Sequence, residues 1–143
     1  MYVCLFDIDG TLIKSGGAGR AAMEAALRCA FGVSEPIDDV PFTGRTDRAI
    51  THDLFRRHGI TESPENWQRF LRAYVEQLPE TLPRYRGQVL PGIAALLEQL
   101  AERRDVAVGL LTGNVRAGAR LKLGHYGLAH HFRFGGFGDE HVN

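Results

Sequence analysis

Lysine is nearly missing from this chain, cysteine is scarce and neither sign of charge is in excess; each shortage closes off a class of function. Seventeen acidic residues balance seventeen basic ones, so no net field draws the chain to nucleic acid or to an anionic membrane. Aromatic residues make up 9% and are scattered, which argues against a base-stacking platform. The two cysteines, Cys4 and Cys29, lack the spacing of a zinc or redox pair. Each reads as a small buried hydrophobe, Cys4 in an apolar strand and Cys29 on a helical pattern. No stretch approaches the ~20 apolar residues of a membrane span. The chain opens directly into Tyr2-Val3-Cys4-Leu5-Phe6 without a basic leader, so the expected setting is the cytoplasm.

What is present is an ordinary globular composition, 44% apolar and 24% charged, in 143 residues. That length fits a single domain, or a compact core with a small inserted lobe, and supports a core without disulfides or structural metal.

Tyr2 to Phe6 is a short apolar run of β-formers, the pattern of a strand covered on both faces. Lys14 to Gly19 reads as a flexible connector, with Lys14 a loop charge. Three amphipathic helices follow. The first runs from Arg20 to Phe31 and ends at Gly32. The second starts at Thr46 or Asp47 and stops at Gly59. The third is capped by Ser63, opens with Pro64 and closes at Pro79. A further helix carries Ile93, Leu96, Leu97 and Leu100, and a second apolar strand spans Val106 to Leu111. Asn114 is placed to cap a helix ending near Tyr126, and Phe132-Arg133-Phe134 reads as a third strand. Alternating strands and helices imply an α/β fold with a parallel sheet, whose ligands sit at the carboxyl ends of the strands. Polarity jumps at two such ends, Asp7-Ile8-Asp9 and Thr112-Gly113-Asn114.

A bare Asp-x-Asp is usually a turn, with one acid capping the loop and the other solvated. The full string Phe6-Asp7-Ile8-Asp9-Gly10-Thr11-Leu12, directly after a buried N-terminal strand, resembles the signature of the haloacid dehalogenase (HAD) superfamily. The resemblance implies that Asp7 attacks phosphorus to form a phosphoaspartate and that Asp9 protonates the leaving oxygen and later activates water. An acid at the second position also separates phosphatases from true dehalogenases. A carboxylate approaching a phosphoryl oxygen at ~3.5 Å meets roughly 5 kcal/mol of repulsion per unit charge at an effective dielectric of about 20. Nearby cations must quench that charge, and a hard divalent ion such as Mg2+ suits oxygen donors. The resemblance implies that Asp7 supplies a carboxylate oxygen to the metal and Asp9 its backbone carbonyl. Gly10 permits a sharp bend, and Thr11 offers a hydroxyl and an amide to an anion.

Leu110-Leu111-Thr112-Gly113-Asn114 resembles the family's second motif, whose threonine hydroxyl binds the transferring phosphoryl group; alone it reads as a capped strand-to-helix turn. Of two lysines, Lys14 and Lys122, the latter lies two turns into the following helix in Arg120-Leu121-Lys122-Leu123, where some branches place the catalytic lysine. Phe42-Thr43-Gly44-Arg45-Thr46-Asp47 resembles the cap's substrate-facing loop in phosphoglycolate-phosphatase-like relatives, with Arg45 reaching a carboxylate or second phosphate. Arg45 paired with Asp47 at a helix start is the plain alternative.

The resemblance implies a parallel three-layer, Rossmann-like HAD core from residues 1–15 and 87–143, with a small all-helical cap from 16–86 inserted after the first strand. The family continues into a helix, a fourth strand and an acidic pair that completes the metal shell. Gly138-Asp139-Glu140 comes too soon to be that pair, so Asp139 is expected to be a loop residue. The core is therefore expected to be incomplete at Asn143, with weak metal affinity, poor turnover and an exposed sheet edge that favours a homo-oligomer. The expected function is a magnesium-dependent phosphatase acting on a small phosphorylated metabolite. A phosphomutase, a receiver-like module phosphorylated on aspartate and a degenerate relative are the other readings. Neither nucleic acid nor membrane is expected as a partner.

Overall fold

The structure is a computed structural model and describes residues 1–139. In chain order it comprises β1 (Tyr2–Phe6), β2 (Ile13–Lys14), α1 (Ala18–Phe31), α2 (Asp47–Arg57), α3 (Pro64–Thr81), β3 (Gln88–Val89), α4 (Ile93–Ala101), β4 (Val106–Leu111), α5 (Arg116–His125) and β5 (Gly135–Gly136). Short 3-10 turns follow α3 and α5. Strands β1, β4 and β5 form a parallel sheet in the order β1-β4-β5, with Tyr2 opposite Val106 and Phe6 opposite Leu110. The α/β expectation holds, with α1, α2 and α3 lying between β2 and β3 in the chain.

Local chemistry explains most helix ends. Thr46 caps α2 by accepting the Ala49 N–H at 3.1 Å, and Ser63 caps α3 through the Asn66 N–H at 3.1 Å ahead of Pro64. Gly32 ends α1 at φ 68, a left-handed value that favours glycine. Two apolar clusters result. In one, Met23, Leu27, Leu54, Phe70, Tyr74 and Leu78 pack α1, α2 and α3 together. In the other, Ile8, Leu12, Leu97, Leu110, Ala119 and Leu123 join the sheet to α4 and α5. Full burial of each leucine or isoleucine is worth roughly 1.5–3 kcal/mol.

Several expectations need correction. The third strand is Gly135–Gly136 rather than Phe132–Phe134, although the Phe134 carbonyl already accepts the Leu110 N–H at 3.0 Å. A side chain at Gly135 would lie 2.8 Å from Leu110 atoms, so glycine lets the strands approach. Helix α3 passes through Pro79 to Thr81. Lys14 is not a loop residue of the connector but ends β2, which pairs antiparallel with β3. Cys29 is exposed and Cys4 half-buried, so neither is a core residue. Strand β1 pairs only with β4 among the described residues, and Tyr2, Val3 and Leu5 are exposed rather than covered. Among the described residues no helix is long and apolar enough to cross a membrane.

Candidate active site

The loop after β1 is anchored from beneath. Ile8, Leu12 and Ile13 are fully buried while Asp7, Asp9 and Gly10 face outward. The Ile8 carbonyl accepts N–H groups from Thr11, Leu12 and Ile13 at 2.9–3.2 Å, and Gly10 turns the chain at φ 80. The Gly10 amide is committed to the Ile13 carbonyl at 2.8 Å. Gly10 thus makes the expected bend, while the Thr11 amide is engaged by the Ile8 carbonyl at 3.2 Å, which leaves the Thr11 hydroxyl for an anion. Asp7 accepts only the Ile8 N–H at 2.8 Å, and no cationic side chain pairs with it among the described residues.

The parallel register brings the Asp7 and Thr112 ends of β1 and β4 to one edge of the sheet. There Asn114 acts as a hub. Its Nδ2 donates to Asp9 Oδ2 at 2.9 Å and to Thr112 Oγ1 at 2.8 Å, while its Oδ1 accepts Lys122 Nζ at 2.7 Å. Lys122 also donates to Asp9 Oδ2 at 2.9 Å, and its side chain is 6% exposed. A buried ammonium this close to a carboxylate is held by charge-assisted bonds rather than by solvent. Thr112 Oγ1 accepts a second bond, from the Asn114 N–H at 3.1 Å. Both of its lone pairs are then engaged, so its proton is left to donate outward. The expected capping of α5 by Asn114 does not occur: Val115 holds the N-cap position, and the Asn114 side chain is drawn into the network instead.

A cavity of about 940 Å³ lies over this edge, walled by Asp7, Thr112 and Gly113 on one side and by Arg48, His52 and Trp67 of α2 and α3 on the other. Arg45 lines it too, with three of the five guanidinium N–H donors engaged. It pairs with Asp53 at 2.8 Å and donates to the Pro41 and Ala49 carbonyls at 3.2 Å each. The alternative partner, Asp47, lies elsewhere. It is 7% exposed, accepts the Val115 N–H at 2.9 Å and donates its own N–H to the Gly113 carbonyl at 2.8 Å. Burial pushes the Asp47 carboxyl up to about 6, against the opposing pull of Lys122 and the Val115 amide. Sequence reasoning missed Asp47, because nothing in its local pattern distinguishes it from an ordinary first-turn acid. Another arginine lining the cavity, Arg48 on α2, stacks over Trp67 at 4.6 Å.

Asp139 is a turn residue that accepts the Arg116 N–H at 3.1 Å; Glu140 lies outside the described residues. Among the described residues no group of three or more His, Cys, Asp or Glu side chains is gathered to hold a metal. The donor set nevertheless fits Mg2+. This ion keeps several waters and takes one or two carboxylates plus phosphate oxygens rather than an all-protein cage. Asp7 presents an exposed carboxylate that no cationic side chain pairs with among the described residues.

The family model for haloacid dehalogenase-like hydrolases matches residues 4–142. Among solved structures, the chain is similar to CbbY from Rhodobacter sphaeroides in complex with phosphate, at 21% identity and TM-score 0.77, covering 100% of this chain and 66% of that one. It is also similar to a predicted phosphoglycolate phosphatase from Haemophilus somnus 129PT, at 17% identity and TM-score 0.68, covering 99% and 64%. A hydrolase from Pseudomonas syringae matches at 20% identity and TM-score 0.66, covering 99% and 63%. At these identities the structures testify to the fold alone, and the chain spans just under two thirds of their length. No curated protein matches it. With the strand-end acids, the threonine turn and the lysine all on one sheet edge, the chain belongs to the haloacid dehalogenase-like hydrolase family.

Proposed function

We propose that the chain carries out magnesium-dependent hydrolysis of a small phosphorylated metabolite through an aspartyl phosphate on Asp7. The observation that carries this reading is the buried Lys122 ammonium bonded to both Asp9 and Asn114 at the edge where Asp7 emerges. Family membership and the phosphate held by the Rhodobacter relative support a phosphoryl substrate. The cavity, at about 940 Å³, suits a small metabolite, since such pockets run to roughly 300–1,000 Å³.

In this reading the Thr112 proton and the turn that follows it hold the phosphoryl oxygens. An Asp7 oxygen attacks phosphorus as the bond to the leaving oxygen breaks. Asp9 gives that oxygen its proton through Oδ1, since Oδ2 is taken by Asn114 and Lys122. The Asp9 carboxylate then accepts a proton from water as that water attacks the acyl phosphate, which frees inorganic phosphate and restores Asp7. Asp7 and the Asp9 carbonyl would hold Mg2+, which when bound supplies the positive charge that lets one anion approach another.

The test is hydrolysis of para-nitrophenyl phosphate with and without magnesium, beside an Asp7→Asn variant. Reductive trapping of the acyl phosphate should mark Asp7. Equal hydrolysis by the Asp7→Asn protein would end the proposal.

A further inference from the structure

Asp47 has no part in the chemistry above, yet it touches both sides of the turn on which that chemistry depends. Its N–H reaches the Gly113 carbonyl at 2.8 Å and its carboxylate takes the Val115 N–H at 2.9 Å, so it brackets Asn114. Helix α5 has no side chain of its own at the N-cap; Asp47, 68 residues earlier in the chain, accepts the N–H of the cap residue Val115, and Asp139 accepts that of Arg116. The carboxylate is free to do so because Thr46 already caps α2. Contact between the two segments is close: a side chain at Gly113 would lie 2.8 Å from the Arg45 carbonyl oxygen and from Thr46 Cα.

We propose that Asp47 is a positioning residue that fastens the N-terminus of α2 to the Gly113–Val115 turn, and so holds Asn114 and Thr112 in register with Asp9 and Lys122. Docking of the helical segment and assembly of the phosphoryl site become one event. The role uses the carboxyl group as a hydrogen-bond acceptor for Val115. Burial raises it to about 6, so at neutral pH it is largely ionised in a place that disfavours the charge. A neutral asparagine could accept the same N–H without that penalty.

The kinetic readout rests on the phosphatase reading; the exchange readout does not. Asp47→Ala should lower kcat on para-nitrophenyl phosphate by about 10- to 100-fold per folded molecule, as displaced active-site groups do, with KM changed less than about threefold. Asp47→Asn should stay within about threefold of the parent, because its amide oxygen still accepts the Val115 N–H. Hydrogen exchange at Val115 should quicken at least about tenfold in the Ala variant and remain slow in the Asn variant. If Asp47→Ala does not fold, Asp47→Glu carries the same test, since one extra methylene displaces the carboxylate from Val115. In the unaltered chain the Val115 amide resonance should titrate with a midpoint near 6. An unchanged kcat in a folded Ala variant, or Val115 exchange equal to that of the parent, overturns the proposal. Should the parent itself fail to hydrolyse the ester, the phosphatase reading falls and Val115 exchange alone decides the role of Asp47.

Discussion

Replacing Asp47 by asparagine should make the protein gain on the parent as pH rises, from a deficit of about 1–2 kcal/mol in acid to a net advantage at alkaline pH. The folded chain holds the Asp47 proton more tightly than the unfolded chain, because burial raises the carboxyl from 3.8 to about 6. A group raised in this way contributes most to folding below pH 3.8, and that contribution is lost as pH climbs through 6. The span between those values, at about 1.4 kcal/mol per pH unit, amounts to about 3 kcal/mol. Asparagine is neutral throughout and carries none of this dependence. Its NH2 group adds donors to a nearly closed space at a cost of about 1–2 kcal/mol, which lowers the absolute gain but is the same at every pH. The measurement is therefore a difference of differences. Urea unfolding of parent and variant at pH 3.5 and pH 8 should show the variant gaining most of about 3 kcal/mol on the parent between them. In melting experiments this corresponds to a relative shift of roughly 6–12 °C for a chain of this length. A stability difference that stays flat within about 0.5 kcal/mol over that range, or a variant that loses ground to the parent as pH rises, would refute the reasoning. The attraction of Lys122 would then outweigh burial, and the carboxylate would be a net stabiliser.

The same electrostatics makes a claim about Lys122. Lys122→Met removes the charge that pulls Asp47 downward, so the midpoint of the Val115 amide titration should move above 6 while ester hydrolysis falls by about a hundredfold or more. Lys122→Arg should not restore turnover, since a planar fork does not fit two convergent acceptors at 2.7 and 2.9 Å, and a steady-state assay decides it. Strand β1, with one open edge among the described residues and Tyr2, Val3 and Leu5 exposed, should drive concentration-dependent association. Leu5→Lys should shift light scattering towards the monomer, and an unchanged mass distribution would count against the edge as its cause.

Much of the fold could be read from residue order because the signals were local. Two apolar runs ending in polar residues marked β1 and β4. Thr46, Ser63 with Pro64, and Gly32 marked helix ends through bonds made within a few residues. What escaped were elements with little or no side-chain period. Strands β2 and β3 are two residues long, and β5 is a pair of glycines whose value lies in how closely β4 can approach. Pro79 reads as a stop in sequence, yet a proline removes only one helical donor, and α3 continues to Thr81 beyond it.

The site divides along the same line. Asp7, Asp9, Thr112, Asn114 and Lys122 could be singled out because three of them end strands and the other two follow in the next helix and its approach. The arrangement among them could not. Asn114 looks like a helix cap in sequence, but its side-chain partners Asp9 and Lys122 lie 105 and 8 residues away. Arg45 and Asp47 are a sharper case, two residues apart at one helix start. Sequence favours the arginine as the residue that reaches the site, because guanidinium chemistry suits an anionic ligand. In the folded chain the arginine lines the cavity while bonding Asp53 and its own loop, and the acid reaches the turn. How each of the two neighbours meets the site depends on how α2 docks on the Gly113 turn, and that docking in turn requires residue 113 to lack a side chain. A glycine in a Thr-Gly-Asn turn is therefore evidence about the helix packed against it as much as about phosphate.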